Sequence, residues 1–329
     1  MKEIKKWIRP YFRGLYRIMK GFIGFSYDFK RFIAYGGWRE DLKDVETRNY
    51  NSVMAYHGLE KSLSYKNRNP NSGWSNVARV FLRLKVANKT GDLGYHDKAA
   101  KQVLTKFLQL PVNVEQERSK KMLAELSLMD FESKDVHGAI HLSKEFFEKG
   151  MLPKPEDFFF SRYSLREFKQ VVVDEQVIQR AVKLAMKTPS VCNRQPWHVY
   201  HSNDRETINK ALSYQNGNRP FGVKVPNLMI VTTDLKAFFA GKEHYQHWID
   251  GGLFSMSLMY AFHSLGLASC PLNWSQSPNG DKGLRKSINI RANQTVIMMI
   301  AVGFPDDENK VCSSSRRPLK EVYSQMKIV

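Results

Sequence analysis

Apolar residues at three- and four-residue spacing open the chain: Ile4, Trp7, Ile8, Tyr11, Leu15, Ile18, Met19 and Phe22. Lys5, Lys6, Arg9, Arg13, Arg17 and Lys20 fill much of the remainder. The spacing predicts a basic amphipathic helix, with a break or kink at Pro10 or Gly14. Two environments suit its apolar face. It can pack on its own protein with the basic face in water. Alternatively, residues 1–22 can lie in the headgroup layer of an anionic membrane, aromatics inserted and cations on phosphate.

Residues 38–150 read as mainly helical and polar. Gly73-Trp74 leads into a helix carrying Val77, Val80, Phe81, Leu84 and Val86, which Gly91-Asp92 ends. A second helix is predicted over 96–110 with Pro111 as its stop, and a third over 114–129. His57-Gly58-Leu59-Glu60-Lys61 is the chemically densest stretch of this half. His57 and Glu60 are its weak candidates for acid–base work, against the commoner outcome of a structural ion pair. Residues 150–157, with Pro153 and Pro155, read as an extended connector. It divides the chain into a helical region, 1–150, and a second domain, 151–329.

Beyond the connector the apolar runs lengthen, and helices alternate with strands. Asp174 is an N-cap for a helix with Val177, Ile178, Ala181, Val182, Leu184 and Ala185 on one face, ended by Pro189. Residues 197–201 form a short strand candidate, and the apolar run 227–233 predicts a strand buried on both faces. Residues 248–265 make a long helix, apolar nearly all round, with Gly266 placed for a C-cap. Such a helix belongs at a domain centre or in an interface. A buried strand at 295–302 and Gly303-Phe304-Pro305 complete the pattern. The order predicts an α+β sandwich, and no Gly-x-Gly-x-x-Gly marks a dinucleotide-binding sheet.

Composition narrows the partners. Hydrophobic content of 42% and charged content of 25% are ordinary for a globular chain. No run of eighteen apolar residues occurs, and Arg9, Arg13 and Arg17 interrupt any secretory apolar segment, so a cytoplasmic protein is expected. Peripheral attachment to the inner face of the membrane is the second option. Cys192, Cys270 and Cys312 are too scattered for a disulfide framework or zinc site, so no metal is expected. A net charge of +19 favours anionic partners, but nucleic acid is the minority choice because no recognition helix, zinc finger or aromatic RNA-binding strand accompanies it.

Three segments of the second half carry chemistry. Ser161-Arg162-Tyr163-Ser164-Leu165-Arg166-Glu167-Phe168 is a compact anion site, its guanidinium forks suited to phosphate. Thr188-Pro189-Ser190-Val191-Cys192-Asn193-Arg194-Gln195-Pro196-Trp197 is a polar loop able to present amides to a heteroaromatic edge. Ser315-Arg316-Arg317-Pro318-Leu319 is a second arginine pair. In this order, with Leu265-Gly266-Leu267 and Val302-Gly303-Phe304-Pro305 between them, the segments resemble the nitroreductase family over about half the chain.

That resemblance implies a three-layer α-β-α sandwich, preceded here by the helical region, and an intertwined homodimer with FMN at its interface. It implies that Arg162, Tyr163 and Ser164 hold the FMN phosphate and ribityl chain, with Arg316 and Arg317 closing the site. Arg166 would stabilise negative charge on the reduced ring. Pro189, Ser190 and Asn193 would contact the same cofactor from the other subunit. Pro271 and Leu272 would approach the ring through backbone, and Asn218 and Arg219 align weakly with a flavin-edge contact. The implied function is an FMN-dependent oxidoreductase passing hydride from NAD(P)H to a small-molecule electron acceptor. The alternative is a non-catalytic flavin-fold dimerisation module whose amino-terminal region docks to a membrane or partner.

Overall fold

The computed structural model describes residues 2–239 and 241–328, with side chains from Phe12 onward. The predicted positions of Ile4, Lys5, Lys6, Trp7, Ile8, Arg9 and Tyr11 as side chains therefore lie outside the described residues. Helix α1 (Lys2–Tyr35) runs without interruption through Pro10 and Gly14. The expected break is absent because a helix this long absorbs the one hydrogen bond that proline removes.

Helices α2 (Val45–Ser64), α3 (Trp74–Thr90), α4 (Tyr95–Leu108), α5 (Pro111–Val114) and α6 (Glu117–Ser127) follow. Asp44 caps α2 by accepting from the Thr47 backbone N–H. Pro111 both stops α4 and opens α5, where its missing N–H costs nothing, so the third predicted helix starts later than its pattern suggested. Val53, Tyr56 and Leu59 of α2, Val80 and Leu84 of α3, and Val103, Leu104 and Phe107 of α4 form one apolar core. Through it runs a fully buried ion pair. Arg48 Nη2 donates to Asp97 Oδ2 at 3.0 Å, Arg48 Nη1 donates to the Leu42 carbonyl, and Asp97 accepts the Gly94 N–H. Every charge is compensated, as burial requires.

The stretch that follows holds two short helices, α7 (Lys144–Glu148) and α8 (Pro155–Phe160). Pro155 at the first helical position, with Glu156 and Asp157 behind it, turns the end of the expected extended connector into helix.

The remainder is α9 (Glu175–Ala185), β1 (Trp197–Ser202), α10 (Arg205–Leu212), β2 (Asn227–Asp234), α11 (Gln246–Ser264), β3 (Ala268–Asn273), α12 (Pro278–Ser287) and β4 (Gln294–Gly303). The four strands form one antiparallel sheet in the order β1-β2-β4-β3. Alternate residues of β2 serve opposite faces. Leu228 and Ile230 join Leu212 of α10 and Leu284 of α12 on one side. Met229 and Val231 join Ile178 of α9 and Phe254, Leu258 and Phe262 of α11 on the other. This is the expected three-layer sandwich. A register shift at Val231/Thr232 leaves Ile297 of β4 without a partner, so Ile297 and Met298 both serve the α11 face before alternation resumes at Met299.

The helical region is not one packed unit. The end of α1 binds the sandwich: Tyr27 Oη donates to Asp281 Oδ2 at 2.8 Å and Arg31 Nη2 to the Gln294 carbonyl at 2.8 Å. The α2 side is clamped separately, where Lys236 Nζ meets Asp44 at 2.9 Å and Glu46 at 2.8 Å, and Arg291 pairs with Glu46. Tyr50 Oη donates to the buried Asp234 at 3.2 Å. Burial raises the pKa of both Tyr50 and Asp234, which keeps the tyrosine a neutral donor.

Candidate functional site

The 161–168 segment lies along β3. A parallel bridge joins Ser164 to Ser269, and the Leu165 N–H donates to the Ser269 carbonyl at 3.1 Å. Leu165 and Phe168 anchor the segment in the core on the α10 and α12 side of the sheet. Gly303 makes that seat possible: a Cβ there would stand 2.6 Å from Pro226 Cγ and 2.9 Å from Phe168 Cβ. With these two apolar residues fixed, Arg162 and Arg166 are held at the sheet edge. Both act on Cys270 of β3: burial pushes its thiol pKa up, while Arg166 and Arg162 pull it down. Arg166 Nη1 also approaches Cys312 Sγ at 3.6 Å, in the exposed carboxy-terminal segment.

Arg162, Tyr163, Ser161, Ser269 and His263 line a cleft of about 380 Å³, closed on one side by Asn309 and Val311. That is within the size range of small-molecule sites. Ser161 Oγ lies 2.9 Å from His263 Nε2. Arg162 Nη1 is buried, and no hydrogen-bond partner serves it among the described residues. A buried cationic donor without an acceptor is costly, and because Arg162 also lines the cleft, a phosphate oxygen that reached its guanidinium would find a donor to spare. The donor set therefore fits an anionic, phosphate-bearing ligand.

The loop after α9 is held by hydrogen bonds. Thr188 turns back on the Ala185 carbonyl, and the Ser190 hydroxyl accepts the Gln195 N–H at 2.9 Å. Gln195 Nε2 donates to Asn193 Oδ1 at 3.2 Å, and the Val191 N–H donates to Asp250 of α11 at 3.3 Å. Cys192, Asn193 and Gln195 have φ of 50°, 55° and 52°. Three non-glycine residues in this left-handed region store backbone strain, which clusters at ligand clamps. Arg194 compensates. Its guanidinium, 2% exposed, pairs with Glu243 at 2.7 Å, donates to the Ala237 carbonyl at 2.8 Å and reaches Met54 Sδ of α2 at 3.3 Å. The sequence pattern placed Arg194 in this loop without revealing that role, since its partners come from three distant segments.

The two segments are tied to different parts of one helix. The loop is tied to Asp250 near the start of α11, and the 161–168 segment to His263 in its last turn. Thirteen residues of helix put about 20 Å between the two attachment points.

The other candidates are spread out. Pro271 and Leu272 lie on β3, with the Leu272 side chain in the core on the α10 and α12 side of the sheet and Pro271 half-buried. Strand β3 itself carries no signal in the sequence pattern, and Pro271 is tolerated because β3 is an edge strand. Asn218 spends its amide on the Leu212 and Gln215 carbonyls, closing the turn after α10, while Arg219 is exposed. Arg316 and Arg317 are exposed, Arg316 donating to the nearby Ser314 carbonyl; among the described residues neither contacts Arg162 or Arg166. His57 Nδ1 and Glu60 Oε2 are 3.1 Å apart on α2, and Glu60 Oε1 accepts the Gly138 N–H at 3.2 Å. Glu60 thus ties a loop to α2.

Comparison with known proteins supports the reading of the second half. Residues 160–218 match the family model described as the nitroreductase family. A protein of Archaeoglobus fulgidus, named for a proposed NADH dehydrogenase/NAD(P)H nitroreductase activity, is 29% identical over 153 residues, 45% of this chain and 84% of its own. The iodotyrosine deiodinase of Hydra vulgaris is 25% identical over 209 residues, 53% of this chain and 75% of its own. Among solved structures, a proposed nitroreductase of Desulfovibrio desulfuricans in complex with FMN is 20% identical, with a TM-score of 0.46 over 54% of this chain and 99% of that one. The chain carries a nitroreductase-family segment, matched at residues 160–218, and its similarity to such proteins extends over about half its length.

Proposed function

We propose that the protein is an FMN-dependent oxidoreductase that takes hydride from NAD(P)H and passes it to a small-molecule acceptor, with each FMN held between two copies of the chain. Arg162, which lines the cleft and has a buried Nη1 without a partner, carries this reading, because an anionic ligand atom there would supply the missing acceptor at the spot where the resemblance implies the FMN phosphate. The 161–168 and 188–197 segments lie at opposite ends of α11, which favours a site completed by a second copy.

When bound, FMN supplies hydride acceptance and donation. In this reading Arg162 and Ser164 fix its phosphate and ribityl chain, and Arg316 and Arg317 close the anion site. Arg166 holds positive charge where reduction places negative charge, which favours the reduced form. Pro189, Ser190 and Asn193 from the second copy fix the ring from the opposite side, and the strain and ion pairing of their loop keep them from relaxing. The uncovered side of α11, with Ile249 and Leu253, and the exposed Leu184 of α9 and Met186 just after it supply the apolar face that such pairing needs. A bound acceptor meets a site where position and electrostatics are supplied without a nucleophile.

The test is purification without added cofactor, followed by a visible spectrum and an anaerobic titration with NADH and NADPH. A yellow protein bleached by either nucleotide is expected. A colourless protein that fails to take up added FMN sinks the proposal; a yellow one that neither nucleotide reduces leaves the binding-module alternative.

A further inference from the structure

Among the described residues, helix α1 is clamped to the body towards its end. Tyr27 and Arg31 hold it to α12 and β4, and the Gly37 N–H donates to the Phe238 carbonyl. From Phe12 to Ile23 every residue is exposed, and Lys20 lies over the Tyr16 ring of the same helix. That stretch is not polar. Leu15, Ile18, Phe22, Phe25, Phe29 and Ile33 recur at three- and four-residue spacing and so share one side of the helix, Ile18 at 71% and Phe22 at 72% exposure. Arg13, Arg17 and Lys20 share another side. Where the apolar stripe reaches the body it continues into an apolar cleft of about 560 Å³ lined by Phe25, Phe29, Phe32, Trp38, Phe239 and Tyr245.

We propose that α1 docks the protein on an anionic lipid bilayer, lying in the plane of the headgroups with this stripe inserted. Charge decides between a bilayer and a second copy. Over residues 2–31 the sequence carries nine Lys and Arg against Glu3 and Asp28 alone. Pairing two such helices sets cation against cation, whereas a phosphate surface neutralises them. The helix also lacks the length of uninterrupted apolar sequence needed to cross: no helix among the described residues is long and apolar enough to span a membrane. Large amphipathic asymmetry with a basic flank is the signature of a helix that lies on the surface instead. The proposal is independent of the flavin reading.

The experiment is co-sedimentation of the full chain with phosphatidylcholine vesicles, with and without phosphatidylglycerol, at low and high salt. The wild type should pellet with the phosphatidylglycerol vesicles and release as salt screens the charge. Ile18→Glu with Phe22→Glu should weaken binding at least about tenfold. Arg13→Gln, Arg17→Gln and Lys20→Gln together should weaken it on the order of a hundredfold on the anionic vesicles. Both variants alter only exposed positions, so circular dichroism should match the wild type. The proposal is overturned if the wild type stays in the supernatant with both vesicles, or if the Glu variant binds as well as the wild type. It is equally overturned if that variant changes the oligomeric state, by light scattering, while vesicles capture neither protein, because a second copy then covers the stripe.

Discussion

Replacing Arg162 by Met separates a ligand-binding role from a structural one by the sign of two changes. Methionine keeps most of the aliphatic stem and removes the guanidinium. In the unliganded protein Arg162 Nη1 is buried without a partner, so its removal relieves a desolvation cost instead of breaking a bond. A fully buried orphan donor costs about 1–3 kcal/mol, and because Arg162 is half-buried the relief should fall between about 0 and 1 kcal/mol. Binding moves the other way. A charged hydrogen bond to phosphate contributes about 1.5–3 kcal/mol, so the FMN dissociation constant should rise roughly 10- to 150-fold. The assay is quenching of flavin fluorescence on titration with apoprotein, alongside urea unfolding of the same apoprotein. An R162M apoprotein destabilised by more than about 1 kcal/mol, with FMN affinity within threefold of wild type, would refute the reasoning.

Gly303→Ala should lower stability by about 1–3 kcal/mol and weaken FMN binding together, because the added Cβ meets Pro226 and Phe168 and unseats the segment carrying Arg166; urea unfolding and flavin titration check both. Burial lowers the pKa of His96 and His247 to about 4 each, from an ordinary value near 6.5. Both stay neutral in the folded chain while the unfolded chain protonates, so stability is full above pH ~6.5 and falls as pH drops towards ~4, by about 3 kcal/mol per histidine at most. The urea midpoint should track that window, and His96→Gln, which can still accept from Tyr56, should flatten it; an unchanged slope argues against the assignment. Leu253→Glu on the uncovered side of α11 should yield a monomer by light scattering that has lost its flavin, and a flavin-bearing monomer would defeat the two-copy site.

Much of the sandwich was legible because its elements are locally emphatic. The runs in β2 and β4 are buried on both faces, and α11 ends at a glycine with φ of +75°, so pattern and turn chemistry agree. Strand β3 was not legible: it is short, sits at an edge and contains proline, and only its pairing with β4 makes it a strand. Helices α10 and α12 are short enough that polar residues dominate their pattern. The site residues divide the same way. Arg162 and Arg166 stand out as a motif, but their convergence on Cys270 depends on the Ser164–Ser269 bridge, a contact across more than a hundred residues. Arg194 looked like one cation among many until Glu243 and Ala237 were brought to it. The amphipathic start was plain in the sequence, whereas its attachment to the sandwich and not to the helical core was not.

The distance along α11 between the 161–168 and 188–197 segments has a genetic consequence under the proposed function. If each FMN is shared, a protomer carrying Arg162→Met and a protomer lacking the Asn193 amide are each damaged in a different half. Mixed in one cell, they would form dimers in which one site receives both lesions and the other receives none. Two inactive alleles would then restore function in trans, up to half the wild-type sites in each mixed dimer, and dilution that separates the copies would release the cofactor and the activity together.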